Sequence, residues 1–295
     1  MRGHGTFVEG GRLYSSLVGV VERVNCLVTV RPLQGRYGGE VGDVVVGRII
    51  DVQSKRWHVE ISGRQDAVLL LSSVNLSDGV QRRRTEEDQL NMRSFYAEDD
   101  LISAEVRAVF PDGSLSLHAR SLKYGKLENG LVVRVPSILM RRLKQHFCTL
   151  PCGVDAILGL NGHIWLTASM EGLEAPGEAG APPPAAQGGG SGGGGGAVDV
   201  ADLQAAEAGL VEAIERRKRL AAERDIPPEA RLRVCRVRNS ILALAHCGLA
   251  ILPEAISLVF QMSEELGLSP EQMLDPSVAT RICAGAMEVA KARAE

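Results

Sequence analysis

The sequence predicts an α+β protein of several domains, with a β-rich front half and a mainly helical rear half. Two observations support this prediction. Short runs of β-branched and apolar residues, separated by turn residues, extend from position 13 to about position 167. A Pro- and Gly-rich stretch at 171–200 then separates these runs from sequence with helical periodicity.

The first predicted β segment covers residues 13–33, where valines recur between polar residues and Asn25 marks a turn. Five more short strands follow between positions 43 and 120. The connection between the third and fourth of these contains a helical stretch, TEEDQLNMRSF, with Thr85 as its N-cap and Asp88 three residues on. Five strands with a helix in that connection are typical of an OB-fold barrel.

A second unit begins with the strand LVVRV. Pro136 is expected to start a helix, PSILMRRLKQHF, with apolar residues on one face and cations on the other. The strands VDAIL and HIWLT come next, joined by a short turn at Gly159–Gly162. Asn-Gly in such a loop predicts a hairpin in which Asn161 and Gly162 adopt positive φ.

Beyond position 170 the chain is first Pro-rich and then almost pure Gly, so we expect 171–200 to be a disordered linker. Everything after it reads as helix. Prolines are expected to start helices at 227–228, running to about His246, and at 253, running to about Leu266. Ser269-Pro270 and Asp275-Pro276 look like helix starts in a short tail.

Charge and cysteine content restrict the functional classes. Residues 1–166 hold 21 Lys+Arg against 18 Asp+Glu, a net of +3, and the remainder holds 12 against 18, a net of −6. This asymmetry fits RNA contact in the front half. The six cysteines are scattered, so we expect reduced thiols, no metal site and no cofactor. Without a signal peptide or a membrane-spanning apolar run, an intracellular protein with no membrane partner is expected.

Several strings together resemble a known family: RGHGT, GEVGDVVVGRI, LLLSSVNL, RRRTEEDQLNMRSF, DLISAEVRAVFPDGSLSLHARSLKYGKL and ILGLNGHIW. They are similar to the S1/KH cap subunits of the RNA exosome. The better match is the ribosomal RNA-processing protein four (exosome component two) family, and not its paralogue, ribosomal RNA-processing protein forty. The resemblance is close over residues 2–167 and looser through RLRVCRVRNSILAL.

The resemblance implies an N-terminal β domain, a central S1-type OB barrel and a C-terminal KH domain. It implies that the N-terminal part binds a ring of ribonuclease-PH-like subunits, beside other cap subunits, and that the barrel faces the RNA entrance. It further implies that other subunits degrade the RNA 3′ to 5′ and that this subunit cleaves nothing. The expected domains are 1–38 (N-terminal β, expected to be incomplete), 39–122 (S1-type barrel), 123–170 (KH-like, first part), 171–200 (linker), 201–268 (helical remainder of the KH-like domain with an extra helix) and 269–295 (helical tail).

The candidate RNA contacts are mainly cations. Lys55, Arg56 and Trp57 cluster at the turn between the first two barrel strands, where cations can track phosphates and an aromatic ring can stack on a base. The alternative is that Trp57 packs in the core and the two cations are merely solvated. The triplet Arg82, Arg83 and Arg84 could bind phosphates, an acidic neighbouring subunit, or Glu86, Glu87 and Asp88.

The most basic stretch of the chain runs from Arg120 to Lys144, with seven cations and one acid. We favour an RNA-facing or subunit-facing surface there over a plain solvated one, and the residues proposed to contact RNA are His118, Arg120, Lys123 and Lys126. The turn containing Gly159, Asn161 and Gly162 resembles the GxxG loop with which KH domains hold phosphates. Because it lies between two strands, we interpret it as structural.

No catalytic constellation is visible. The acidic runs at 86–88 and 98–100 lie in a polar connector, and no strand-borne carboxylates could hold two metal ions. The sequence therefore predicts a non-catalytic RNA-binding subunit that acts in ribosomal RNA processing and RNA degradation. We expect it in the nucleus, including the nucleolus, and in the cytoplasm. The alternative is an assembly scaffold whose barrel never touches RNA.

Overall fold

The computed structural model describes residues 2–32, 35–75, 86–169 and 225–294. Several predictions lie outside these residues: the Thr85 cap, the arginine triplet 82–84, the disordered linker 171–200, and the first helical run after it. Within the described part, no helix is long and apolar enough to cross a membrane. The six-part division into domains stays a prediction.

The N-terminal segment forms two separate antiparallel pairs, of which the valine pattern predicted the second. Strand β1 (Thr6–Glu9) pairs with β2 (Arg12–Ser15), and β3 (Gly19–Val24) pairs with β4 (Leu27–Pro32). Asn25, with φ of 54°, makes the turn between β3 and β4. Two-stranded sheets bury little surface, and many apolar side chains of this segment are exposed.

Five strands then close into a barrel, which confirms the predicted OB order. They are β5 (Val44–Val52), β6 (Arg56–Glu60), β7 (Ala67–Val74), β8 (Leu101–Val109) and β9 (Leu115–Ala119). The barrel closes because β9 pairs in parallel with β7 and antiparallel with β8. A short extra strand, β10 (Gly125–Lys126), extends the sheet beside β8.

Every second side chain along the strands points into the barrel, and these side chains form its core. Trp57, Val59 and Leu69 are fully buried, whereas Arg56 and Leu70 point outward. The predicted helical stretch forms two short helices, α1 (Glu86–Leu90) and α2 (Met92–Phe95), between β7 and β8. Met92 and Tyr96 join the barrel core, so this connection covers part of the barrel interior.

A second antiparallel sheet follows in the order β11-β14-β13-β12. Its strands are β11 (Leu131–Arg134), β12 (Phe147–Leu150), β13 (Val154–Leu158) and β14 (His163–Ala168). The helices α3 (Pro228–His246), α4 (Pro253–Glu265) and α5 (Pro276–Ala294) pack on it and share one core with it. All three start at the predicted prolines, which confirms those helix starts, although α5 is longer than a short tail.

The helix predicted over 136–147 is wrong. Ser137–Leu139 form one turn of 3-10 helix, and the chain then runs irregularly until Phe147 begins β12. Met140 instead forms a parallel bridge with Ile251, and the Ile251 N–H donates to the Leu139 carbonyl at 2.9 Å. Pairing with the segment that follows α3 therefore replaces the local helical preference.

The barrel and the second sheet share a small core of their own. Val44 and Val46 on the outer face of β5 pack with Ile157 of β13, together with Ala119 and Tyr124. The first half of the outer face of β5 is consequently covered by protein, whereas Ile50 near its end is exposed. This contact determines which parts of the barrel stay exposed.

Candidate nucleic-acid interface

The turn between β5 and β6 presents two cations to solvent. Lys55 and Arg56 are both exposed. The Arg56 Nε donates to Gln53 Oε1 at 2.6 Å, and the Gln53 amide in turn donates to Asp51 Oδ2 at 3.0 Å. The Lys55 carbonyl accepts from the Leu71 N–H at 3.0 Å, which fixes the turn against β7. A neutral amide thus orients the Arg56 guanidinium without cancelling its charge.

Trp57 is a correction to the predicted RNA contacts. Its side chain is fully buried in the barrel, so no base can stack on it. The indole N–H donates to the Tyr96 carbonyl at 3.0 Å, and the two rings meet edge to face at 5.3 Å. Burial raises the pKa of Tyr96 to about 12. The structure therefore shows the core alternative for Trp57.

The end of β9 lies at the same end of the barrel as the β5–β6 turn. The start of β6 pairs with the later part of β7, and β9 runs parallel to β7. The Asn75 N–H after β7 donates to the Ala119 carbonyl at 3.1 Å, so Arg120 leaves the barrel where the connection containing the arginine triplet begins. Arg120 is exposed.

His118 and Leu70 lie on the outer face close to this end. Arg56 pairs with Leu70, and His118 follows Leu117, which pairs with Leu69 of β7. The β7–β9 register shifts after that pair, and the His118 side chain is half-buried. We call the surface formed by Lys55, Arg56, His118 and Arg120 the basic end of the barrel.

Lys123 and Lys126 have different surroundings. The Lys123 ammonium lies 4.8 Å from the centre of the Tyr124 ring and 5.7 Å from that of Phe147, and the side chain remains exposed. Lys126 forms ion pairs with Asp100 at 3.2 Å and Glu128 at 3.1 Å. Two carboxylates offset the charge of Lys126, so this residue is a weaker candidate for phosphate contact.

Two other cations of the basic stretch bind the barrel. Arg134 pairs with Glu60 at 3.2 Å. Arg142 pairs with Glu40 at 3.0 Å and also with Asp43. The stretch from Arg120 to Lys144 is therefore partly a contact between the barrel and the second sheet, and not one continuous open surface.

Asp43 is a site residue that the sequence reasoning missed. Its side chain is 5% exposed, and the carboxylate also accepts a hydrogen bond from the Tyr37 hydroxyl at 2.6 Å. Burial, together with this bond to Asp43, raises the pKa of Tyr37. An acid directly before the apolar run VVVGRII was the available signal, because a carboxylate at the start of a buried strand needs a partner.

The turn Gly159–Gly162 lies between the two domains and not at an open surface. The Asn161 Oδ1 accepts from the Val46 N–H at 3.3 Å, and its Nδ2 donates to the carbonyls of Val46 at 2.8 Å and Ile61 at 3.0 Å. Gly162 has φ of +85°, but Asn161 does not have a positive φ, so that expectation was wrong. Buried in this way, the turn is closed to a phosphate backbone.

His163 reinforces the same contact. Its Nδ1–H donates to the Val46 carbonyl at 3.0 Å, and its Nε2 accepts from the Ser62 hydroxyl at 2.8 Å. The Nε2 atom can accept this bond only while the ring is neutral, and burial lowers the pKa of His163, which favours the neutral form. In the described part of the chain, no group of three His, Cys, Asp or Glu side chains is arranged to hold a metal ion.

A closed S1-type barrel followed by a KH-type sheet with helices defines the chain as an S1/KH protein. Residues 36–108 match the family described as "RRP4, S1 domain", residues 130–172 match "KH domain", and residues 1–24 match "Exosome complex exonuclease RRP4 N-terminal region". The chain belongs to the RRP4 family, as the similarity to whole relatives shows.

The relatives span plants, fungi and animals. "Exosome complex component RRP4" of Saccharomyces cerevisiae is 43% identical over 265 residues, covering 89% of this chain and 72% of that protein. The Arabidopsis thaliana homolog is 41% identical over 276 residues, covering 93% and 77%. The mouse protein is 58% identical over 171 residues, and this match covers 58% of this chain and 58% of the mouse protein.

Proposed function

We propose that this chain is a non-catalytic subunit of an RNA exosome and that it contacts single-stranded RNA with the basic end of its barrel. The observation that carries the proposal is the grouping of Lys55, Arg56 and Arg120 at one end of the barrel. All three are exposed. Among the described residues none of them has a carboxylate within ion-pair distance, so their charges are available to phosphates.

Binding at this end is electrostatic in character. OB barrels usually combine cations with aromatic rings on which bases stack. Here Trp57 is inside the barrel, and the partner of Arg56 on the neighbouring strand is the aliphatic Leu70. Affinity for RNA should therefore be modest, independent of sequence and strongly dependent on salt, which suits a subunit that passes RNA on to others.

The N-terminal strands are the proposed contact with ribonuclease-PH-like ring subunits and with other cap subunits. Phe7 and Tyr14 stack at 5.6 Å on the β1–β2 pair and are 39% and 44% exposed. Val18, Val20 and Val21, later in the same N-terminal segment, are more than half exposed. Apolar surface on such small sheets is typical of a protein interface.

In this proposal the chain guides RNA, and other subunits degrade it 3′ to 5′ during ribosomal RNA processing and RNA turnover in the nucleus, nucleolus and cytoplasm. Support comes from the names of the relatives, which are exosome complex components. The purified chain should leave a labelled single-stranded RNA intact in the presence of Mg²⁺. A cleavage ladder whose intensity follows the monomer peak in gel filtration would overturn the non-catalytic role.

The RNA contact is tested with Lys55→Gln/Arg56→Gln in the full chain. Its matched control is Arg12→Gln/Arg64→Gln, which removes two exposed charges elsewhere. For single strands each lost phosphate contact lowers the slope of log affinity against log salt by about 0.7, so the barrel variant should lose about 1.4 and the control almost nothing. If the slope of log affinity against log salt is the same for both variants and the unaltered chain, the barrel cations do not contact RNA, and the alternative of a structural scaffold is favoured.

A further inference from the structure

Two cysteines meet where the end of α3 packs against α5. Buried side chains recur every three or four residues along the last turns of α3, and Cys247, which ends the helix, continues this row. A matching buried row on α5 consists of Ala279, Ile282, Cys283 and Ala286. Both rows belong to the core that the helices share with the second sheet, so each helix brings one cysteine to the contact between α3 and α5.

The two thiols are in direct contact. Cys283 is 2% exposed, and its thiol is hydrogen-bonded to the thiol of Cys247. Both cysteines are free thiols in this structure. A disulfide requires two side chains that point toward each other, and the hydrogen bond between the thiols shows that these two already do so. The contact between the helices can therefore accommodate a bond between the two sulfur atoms.

Solvent reaches this pair of thiols from the side of Cys247. Cys247 is half-buried, and its neighbours His246 and Gly248 are exposed at the end of α3, whereas Cys283 lies in the core. Burial, together with the bond to Cys247, raises the pKa of Cys283 to about 12, so this thiol stays protonated and reacts poorly with an oxidant from solution. A small oxidant should consequently react first with Cys247.

A sulfur–sulfur bond fits this site better than a metal ion does. Structural zinc sites use four protein ligands, and in the described part of the chain no group of three metal-binding side chains lies close together. Two thiols alone are sufficient for a disulfide. In a reducing environment such a pair stays reduced, and it becomes oxidised only when the ratio of disulfide to thiol around it rises.

We propose that Cys247 and Cys283 form a redox-sensitive modification site, at which a small soluble disulfide such as oxidised glutathione joins α3 to α5 through a reversible disulfide bond. The proposal is independent of the proposed function, because neither cysteine belongs to the basic end of the barrel. The bond fixes α5, the last helix of the chain, to the end of α3.

The reaction consists of two thiol–disulfide exchanges. In the first, the Cys247 thiol loses its proton and its sulfur attacks oxidised glutathione, which leaves Cys247 in a mixed disulfide and releases one glutathione thiolate. In the second, the deprotonated Cys283 sulfur attacks the Cys247 sulfur and releases the other glutathione thiolate. The two thiolates take up the two protons, so the cysteines lose two electrons and oxidised glutathione gains them. The second attack is intramolecular, and this proximity compensates for the small fraction of Cys283 thiolate.

Peptide mapping of the full chain tests the bond directly. The chain is equilibrated with oxidised glutathione, its remaining thiols are alkylated under denaturing conditions, and it is digested with trypsin without reduction. Cleavage after Arg238, Arg281 and Lys291 places the two cysteines in separate peptides, 239–281 and 282–291. We expect these peptides to be joined and to separate when a reductant is added. In a mixture of isotopically labelled and unlabelled chains, the joined peptides should come from the same chain.

The melting temperature gives a second measurement. A bond between positions 247 and 283 closes a loop of about 36 residues and should raise the melting temperature by about 5 to 15 °C, reversibly on reduction. Cys247→Ser should lose this shift. The matched control is Cys235→Ser, which removes an exposed cysteine from the same helix and should keep the shift.

Three results would overturn the inference. In the first, Cys247 carries glutathione while Cys283 is recovered alkylated, or neither cysteine is modified. In the second, the joined peptides come from different chains. In the third, Cys247→Ser shows the same rise in melting temperature as the unaltered chain, which would assign the effect to other cysteines.

Discussion

Replacement of Asn161 by alanine tests how firmly the second sheet is fixed to the barrel. The buried amide makes three hydrogen bonds, to Val46 N–H, Val46 C=O and Ile61 C=O. Each such bond contributes about 1 kcal/mol net, and a buried N–H left without an acceptor costs about as much again. We therefore expect Asn161→Ala to destabilise the protein by about 3 kcal/mol.

Thermal unfolding followed by circular dichroism measures this loss. For a unit of this size, 3 kcal/mol should lower the melting temperature by about 6 to 12 °C. The matched control is Thr149→Ala, which removes an exposed bond to Asp155 and should cost no more than about 0.5 kcal/mol. If the two variants melt together, the bonds of Asn161 do not hold the sheet to the barrel. If folded Asn161→Ala loses RNA affinity, the turn contacts RNA directly.

Three further outcomes follow from the same contacts. Gly162→Ala should destabilise the protein by several kcal/mol in urea unfolding, because Gly162 has a positive φ and a Cβ there would overlap the Val135 carbonyl oxygen. The control is Gly113→Ala, which also has a positive φ but open space around it, and which should cost only about 1 kcal/mol. Burial lowers the pKa of His163 in the folded protein below the ordinary value of 6.5. As pH falls below 6.5, the unfolded chain therefore binds this proton before the folded one does, and the melting temperature decreases. In His163→Asn the melting temperature should depend less on pH in this range. Trp57→Phe should cost about 1 to 3 kcal/mol through the lost indole bond and volume, with unchanged RNA affinity in the folded protein.

The barrel could be predicted from the sequence because its strands alternate clearly. Trp57, Val59 and Leu69 recur with period two, and turn residues separate the strands. The same alternation already places Trp57 in phase with Val59, on the buried face. The rim position of the tryptophan had suggested an RNA contact, but the periodicity was the better guide.

The segment 136–147 shows where local pattern fails. Its apolar spacing and its leading proline satisfy the rules for a helix start. Two distant contacts override them: the pairing of Met140 with Ile251, and the ion pair of Arg142 with Asp43. Both partners are far away in the sequence, so no window centred on this segment contains the information.

Only part of the candidate site could be predicted from the sequence, again because some of its contacts join residues that are distant in the chain. The exposure of Lys55 and Arg56 follows from a turn, which is local. The pairing of Lys126 with Asp100 and the insertion of Asn161 against Val46 depend on how the barrel meets its neighbours.

The separation of the two barrel surfaces has a functional consequence. The first half of the outer face of β5 is taken up by the second sheet through Val46 and Asn161, whereas the basic end formed around Lys55 and Arg120 stays open. The sheet contact and the open end therefore use different residues of the barrel. Loosening the sheet contact with Asn161→Ala leaves every proposed RNA-binding cation in place. The folded variant should consequently melt at a lower temperature and still bind short single-stranded RNA with the affinity of the unaltered chain, as fluorescence anisotropy would show.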